Sequence, residues 1–417
     1  MVSILERSLT RRGFIKGVAV GTASLMAGSS IFGCAQKEEE KKPLKLGALV
    51  PLSGPSSEGG NRMKNAFELA KADINKAGGV LGREVEIVYY DTGGNAEKGV
   101  TGVKKLVEED KVFALVGVYT SGVALAIADV VADYNIPLMV TVAASPKIPQ
   151  LVRDDPEKYR YMFRTGADVT HFTLNTAPFV TDIVGAETYY YVGQEAIWSK
   201  ALDKVFENYL KDKGVEKVGN SFVPRGTQEF SSIIADIKSK NPDVVVSSTV
   251  SAEGVPFAKQ YNDAKIPVPF IATAGVLTFE DVIKEMGEKG DYVCFMSWCW
   301  DVPFTGKTQD FYERYREAYG YAPTGYEDVR SYDGMSVFAQ AVNKAGDLDY
   351  DKIKSTLENN RFEGVAGYYE FDDGHQAKWG EGLLTGVIGE WYGGEATILW
   401  PDNVKTGELK KAPWWKI

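Results

Sequence analysis

Side chains able to do covalent or metal chemistry are scarce in this sequence. Its 417 residues hold two histidines, His171 and His375, and three cysteines, Cys34, Cys294 and Cys299. A zinc ribbon or a disulfide framework needs more of these residues than the chain has. The two histidines have no HExxH-like spacing and no cysteine beside them, so no metal or other cofactor is expected. GxSxG, GxGxxG and a P-loop are absent beyond residue 33, and a serine nucleophile would have to recruit one of only two histidines. The chain is not expected to be an enzyme. What it has in quantity is small hydroxyl residues and glycines in four short segments: Ser53 to Ser57, Asp91 to Asn95, Tyr119-Thr120-Ser121-Gly122 and Ala143-Ala144-Ser145-Pro146. Such segments expose backbone N–H groups and Oγ atoms, which suits a carboxylate or another anion at the start of the helix holding Gly122. Taken singly each would be a helix cap; several at one sheet edge make a site.

Those segments need a scaffold. Hydrophobic residues make up 44% of the chain and charged residues 25%, enough apolar material for two or three domains. A net charge of −10 argues against a nucleic-acid partner, whose phosphates attract basic surfaces. The first residues read as an address. Arg11 and Arg12, followed by Phe14 and Lys16, resemble a twin-arginine export motif, and an uncharged small-residue stretch runs from Gly17 to Gly33. Ile31-Phe32-Gly33-Cys34 resembles a lipobox, which would make Cys34 the site of lipidation. Residues 1–33 are therefore expected to be an export signal and residues 34–43 a lipidated flexible tether. Removing the signal takes away four positive charges and Glu6, shifting the net charge from −10 to −13.

After Pro43 the pattern alternates. Strands are predicted at 44–51, 85–90, 112–116 and 137–142, with helices over 61–75, 96–109 and 121–134 between them. The rhythm restarts with strands at 188–192, 218–223, 243–248 and 270–273, and helices over 199–213, 228–240 and 255–264. Later helices are predicted over 310–319 and 333–345, and a β-hairpin around Gly389 to Gly394. Two α/β lobes with parallel sheets follow, and such sheets bind ligands beyond the carboxyl ends of their strands.

Several of these segments resemble the periplasmic solute-binding proteins of the branched-chain amino acid and amide type, which serve ABC importers. The resemblance lies in LGALVPLSGP at 46–55, NKAGGVLGREVEIVYYD at 75–91, VGVYTSGVALAIADV at 116–130 and IPLMVTVAASP at 136–146. Weaker echoes are TQEFSSIIADIKSKNPDVVV at 227–246 and FDDGHQA at 371–377. It implies two Rossmann-like lobes joined by three crossovers, the type 1 clamshell, with residues 44–164 plus 295–364 in lobe 1 and 165–294 plus 365–417 in lobe 2. It also implies a monomer, tethered by lipid, that binds a small carboxylate or amide ligand and meets an ABC permease. A clamshell that reports its ligand to a signalling receptor is the alternative.

The site implied by the resemblance uses the Ser121 hydroxyl and the backbone amides of Ala143, Ala144 and Ser145 for a ligand carboxylate. Family members commonly have Thr or Ser where Ala144 stands, an aromatic at Gly59, Tyr at Ala196 and a carboxylate near Gly275. Trp198 fits the family's aromatic spacing as a cleft wall, and Tyr119 is placed to stack on a ligand. A ligand ammonium buried without a carboxylate partner would be costly, so Glu195, Glu253 or Glu280 would have to substitute. Cys294 and Cys299 are five apart, on opposite faces of one straight strand, and are expected to be buried free thiols.

Overall fold

In a computed structural model of the chain, residues 41–380 and 382–416 are described. Arg11, Arg12 and Cys34, with the rest of the expected export signal and most of the tether, lie outside these residues. The first sheet is built from β1 (Leu44–Val50), β2 (Val85–Asp91), β3 (Ala114–Gly117), β4 (Leu138–Val140) and β5 (Met162–Arg164), in the order β2-β1-β3-β4-β5. All its pairings are parallel. A parallel sheet covered by helices on both faces loses the usual alternation, and β1 (LKLGALV) is buried at every position except Lys45. The connecting helices are α1 (Ser57–Lys76), α2 (Ala96–Glu108), α3 (Ser121–Asp133) and α4 (Lys147–Asp154). Helix α1 buries Met63, Ala66, Phe67 and Ala70, one stripe at helical spacing.

The second sheet begins after α5 (Val169–Pro178), which runs on into a π-helical turn over 179–184. It holds β6 (Thr188–Gln194), β7 (Glu216–Val223), β8 (Val244–Ser248), β9 (Phe270–Ala272) and β10 (Cys294–Ser297). Their connecting helices are α6 (Ile197–Lys211), α7 (Ser231–Lys240), α8 (Gly254–Asp263) and α9 (Glu280–Met286). The chain then returns to the first sheet as α10 (Thr308–Tyr319), α11 (Tyr326–Ala345) and α12 (Tyr350–Asn359), with α11 packed along α1 and against β3 and β4. A small ribbon of β11 (Phe362–Glu363) and β12 (Tyr368–Tyr369) follows. The hairpin β13 (Val387–Tyr392) and β14 (Glu395–Trp400) adds antiparallel to β10, giving the order β14-β13-β10-β9-β8-β6-β7. Its two-residue turn is Gly393-Gly394, both at positive φ (62° and 77°), a conformation that glycine adopts without strain.

The result is an α/β fold of two Rossmann-like lobes joined by three crossovers. Two expected boundaries move. Residues 295–297 belong to β10 and hence to the second sheet, not to the first lobe. The third crossover lies beyond residue 377 and not at 365: Arg164 N–H donates to His375 O, and Ala377 N–H to Arg164 O, so this stretch is laid on the edge strand β5. Sequence alone could not show this, because backbone pairing at a sheet edge imposes little side-chain pattern.

Both histidines and two of the three cysteines lie among the described residues. His171 closes a capping box with Asp168 at the start of α5 and stacks on Trp379 at 4.9 Å. Burial pushes its pKa down to about 4, against the pull of Asp168. His375 stacks on Phe163 at 4.0 Å, with Nε2 3.0 Å from Glu358. Cys294 and Cys299 are buried free thiols, and burial pushes Cys299 up to about 12. No helix among the described residues is long and apolar enough to cross a membrane.

Candidate functional site

The carboxyl ends of both sheets face a common cleft. On the first lobe, Thr120 is the N-cap of α3: its backbone is extended and its Oγ1 accepts from Val123 N–H at 3.3 Å. Ser121, one residue further, is buried, and its Oγ accepts from Ser145 N–H at 3.1 Å. That bond ties the loop after β4 to the start of α3. The same loop is clamped from below by buried Arg164, whose Nη1 donates to Ser145 O at 2.7 Å and Ala143 O at 3.3 Å. Ala143 N–H donates to Val118 O at 3.0 Å. Ser121, Ala143 and Ser145 therefore lie together, with Ser145 N–H bonded to Ser121 Oγ and the Ala143 amide bonded to Val118 O.

The cavity beside them encloses about 370 Å³, counting its opening to solvent. The first lobe contributes Tyr119, Val142, Ala144, Tyr326 and Glu327. From the second lobe come Phe172, Trp198, Arg225, Val250, Ala274 and Gly275. A wider mouth shares Trp198 and Arg225 and is bordered by Ser121, Ala196 and Glu195. The predicted residues thus divide by place. Tyr119, Ala144, Trp198 and Gly275 line the cavity, while Ser121 and Ala196 face its mouth.

Gly59 lies behind the wall. A Cβ there would come within 2.6 Å of the Tyr119 ring, so Tyr119 fills the space that an aromatic side chain at position 59 would need. Gly275 is required by its backbone, with φ at +79° and the Val250 backbone 2.2 Å from any added Cβ. Trp198 is held by an Nε1–H bond to Gln194 Oε1 at 3.4 Å and packs 5.6 Å from Phe172. Phe172 in turn lies 5.8 Å from Tyr326. These rings give the cleft apolar walls with few mobile torsions.

The charges are what the sequence pattern missed. Of the three substitute carboxylates, Glu195 pairs with Lys200 and Glu280 with Lys284. Buried Glu253 accepts from Gln194 Nε2 at 2.7 Å, Ser251 N–H at 3.1 Å and Gly226 N–H at 2.9 Å. All three are committed within the protein. Glu327, in the first turn of α11, is only 3% exposed, and its Oε2 has no hydrogen-bond partner among the described residues. Burial, reinforced by neighbouring Asp328, pushes its pKa up to about 7 despite Arg62. Burial and the Glu327 and Glu253 carboxylates likewise raise the Tyr119 phenol, although Arg225 and Ser251 oppose this. Arg225 follows β7, half-buried, with Nε–H donating to Gln194 Oε1 at 3.0 Å. The available signal for Glu327 was Tyr326-Glu327-Asp328-Val329-Arg330, where three charges lie in a segment that is wholly buried. The helical period alone reads such charges as solvent-facing, and α11 begins at Tyr326, seven residues before the predicted start at 333.

Two α/β lobes that contribute opposing walls to one apolar cleft define a two-lobed small-molecule binding protein. The chain belongs to the periplasmic binding protein family, whose model matches residues 43–380. It is 24% identical over 408 residues to the Leu/Ile/Val-binding protein homolog 7 of Brucella suis, a match covering 94% of this chain and 98% of that protein. Among solved structures, it is similar to a branched-chain amino acid transporter substrate-binding protein of Streptococcus pneumoniae in complex with isoleucine, at a TM-score of 0.75 and 22% identity, covering 86% of this chain and 100% of that one. An ABC transporter solute-binding protein of R. palustris in complex with benzoate gives a TM-score of 0.76 at 20% identity, covering 90% and 99%.

Proposed function

We propose that this protein is the extracytoplasmic receptor of an ABC importer, capturing a small amino acid, amide or carboxylate between its lobes and presenting it to a membrane permease. The observation that carries this reading is the single cavity wall assembled from both lobes, with Tyr119 and Glu327 on one side and Trp198 and Arg225 on the other. A ligand there touches both bodies, so it favours the closed arrangement by its differential contacts. Export by the Arg11-Arg12 signal and a lipid on Cys34 would hold the receptor at the membrane where the permease lies. The ligand wall would comprise Tyr119, Ala144, Trp198 and Gly275, with Ser121 and Ala196 at the entrance and Ala143, Ser145 and Gly59 shaping it from behind. Isoleucine and benzoate, held by two proteins of this fold, bracket the ligand classes.

The test is to purify the full chain under mild conditions, release its contents by denaturation and identify them by mass spectrometry. A stoichiometric small organic acid, amide or amino acid is the expected result. A preparation that yields none, and that gives no heat with a broad panel of these compounds in titration calorimetry, would contradict it.

A further inference from the structure

We propose that Gln194 is the positioning residue of the second lobe's wall of the cleft: its one side-chain amide sets both Trp198 and Arg225, and because it is neutral it leaves the Arg225 charge uncancelled. This rests on the receptor reading of the cleft and adds a residue that does not itself line the cavity or its mouth. Gln194 is the last residue of β6 and is wholly buried. Its Oε1 accepts from Trp198 Nε1–H at 3.4 Å and from Arg225 Nε–H at 3.0 Å, and its Nε2 donates to Glu253 Oε1 at 2.7 Å and to Ser251 Oγ at 3.2 Å. A side-chain amide has two acceptor positions and two donors, so each of them is used. Turning the amide over would set NH₂ against the Trp198 and Arg225 donors and oxygen against the Glu253 carboxylate, so the four bonds admit one orientation.

The amide ties together the ends of three neighbouring strands. Arg225 lies just beyond the end of β7, Ser251 and Glu253 follow β8, and Trp198 is in the first turn of α6. Glu253 fixes the backbone beside Arg225 by accepting from Gly226 N–H at 2.9 Å, where φ is +78°. The bond to Gln194 is the one hydrogen bond of the Arg225 side chain among the described residues. Its guanidinium end reaches across the mouth, where a Cβ added at Gly94 of the first lobe would lie 3.6 Å from Nη1. A carboxylate in place of Gln194 would hold Arg225 in the same position but cancel its charge, and would face Glu253 with a like charge in a buried setting. An apolar side chain would leave Trp198, Arg225 and Glu253 each short of a partner. Only an amide keeps the aromatic wall and the cation in one fixed arrangement with the charge uncancelled.

The experiment is calorimetry on the dialysed full chain with L-isoleucine and with benzoate, at about pH 8.5 and about pH 5.5, beside two-dimensional NMR of the indole N–H groups. Gln194→Met keeps the length of the side chain and removes its four bonds. It should shift the Trp198 indole signal, identified by its loss in Trp198→Phe, leave the other indole signals in place, and weaken the probe that the parent binds about 10- to 100-fold at both pH values. Gln194→Glu keeps the shape and adds a proton switch. Ionised at the higher pH, the introduced carboxyl pairs with Arg225 and repels Glu253, and should weaken binding by a similar factor. Beside the Glu253 carboxylate it takes up a proton more readily than an exposed carboxyl does. Protonated at the lower pH, it donates to Glu253 and accepts from Trp198 and Arg225, so affinity should return to within about threefold of the parent at that pH. A side chain that only filled space would show no such rescue. Parental affinity in Gln194→Met, or a Gln194→Glu deficit as large at the lower pH as at the higher, would overturn the proposal and leave the receptor reading standing. A parent protein that binds neither probe would overturn both.

Discussion

At the scale of single residues, the cleft is governed by a side chain whose burial and ionisation conflict. Glu327 belongs to the first turn of α11, where the helix dipole favours a carboxylate, yet loss of water outweighs this and moves its pKa from 4.5 to about 7. The sign of the consequence is fixed. The folded state binds this proton more tightly than the unfolded chain, so the stability it contributes is present below about pH 4.5 and lost as pH rises through 7. Glu327→Gln, which cannot ionise, should therefore leave the empty protein more stable than the parent at pH 8, by roughly 3 kcal/mol, and equal to it near pH 4.5. Chemical denaturation at the two pH values measures this; equal stabilities at pH 8 would mean that Glu327 is not strained when ionised. Little of this could be read beforehand. The small-residue loops at 119–122 and 143–146 pointed to the strand ends beside the cleft because several of them share one sheet edge, and the family resemblance supplied Trp198. Glu327 and Arg225 were hidden because a single charged residue in a helix turn or a loop reads the same way whether it faces solvent or a cavity.

At the scale of elements, the loop after β4 and the start of α3 behave as one unit. Ser121 Oγ is the acceptor for Ser145 N–H in a buried setting, and Arg164 fastens the carbonyls on either side of Ala144. Ser121→Ala would leave that buried amide unpaired, so a loss of about 1–3 kcal/mol of stability is expected, together with weaker ligand binding as Ala144 loses its support. Thermal unfolding and titration of the same variant check both; a variant with full stability and reduced affinity would instead mean that Ser121 bonds the ligand directly. The long elements were legible in the sequence. Strands such as β1 and β8 are short, mostly apolar and mostly buried, and α1 and α6 show a single buried stripe. The elements missed include β5, β11 and β12, two or three residues each, the helices α4, α9 and α12, and α5, which begins among polar residues and ends at Pro178. Short strands carry too few residues for a period to emerge, and tertiary contacts decide them.

At the scale of the whole molecule, the lobes are joined by an ion pair outside the cleft. Arg62 of α1, buried between the rings of Phe279 at 3.8 Å and Tyr321 at 4.3 Å, donates to Asp281 of α9 at 2.5 Å. Arg62 belongs to the first lobe and Asp281 to the second, so the bond exists only when they meet. Asp281→Ala leaves Arg62 with Asp328 and Glu58, and should lower ligand affinity about tenfold through faster release while changing the melting temperature of the empty protein little. Stopped-flow dissociation and calorimetry separate these effects; an unchanged release rate would show that the pair does not hold the lobes shut. The general plan of two sheets and a clamshell was visible from the strand-helix rhythm and the GGVLGR block, whereas the return of residues 370–377 to the first lobe was not. The central claim is that the ligand lies between the lobes, and it is tested most directly by a crystal structure of the protein with its solute retained. The account predicts that solute in the space bounded by Tyr119, Trp198, Glu327 and Arg225, in contact with both lobes; a solute bound elsewhere, with that space filled by water, would contradict it.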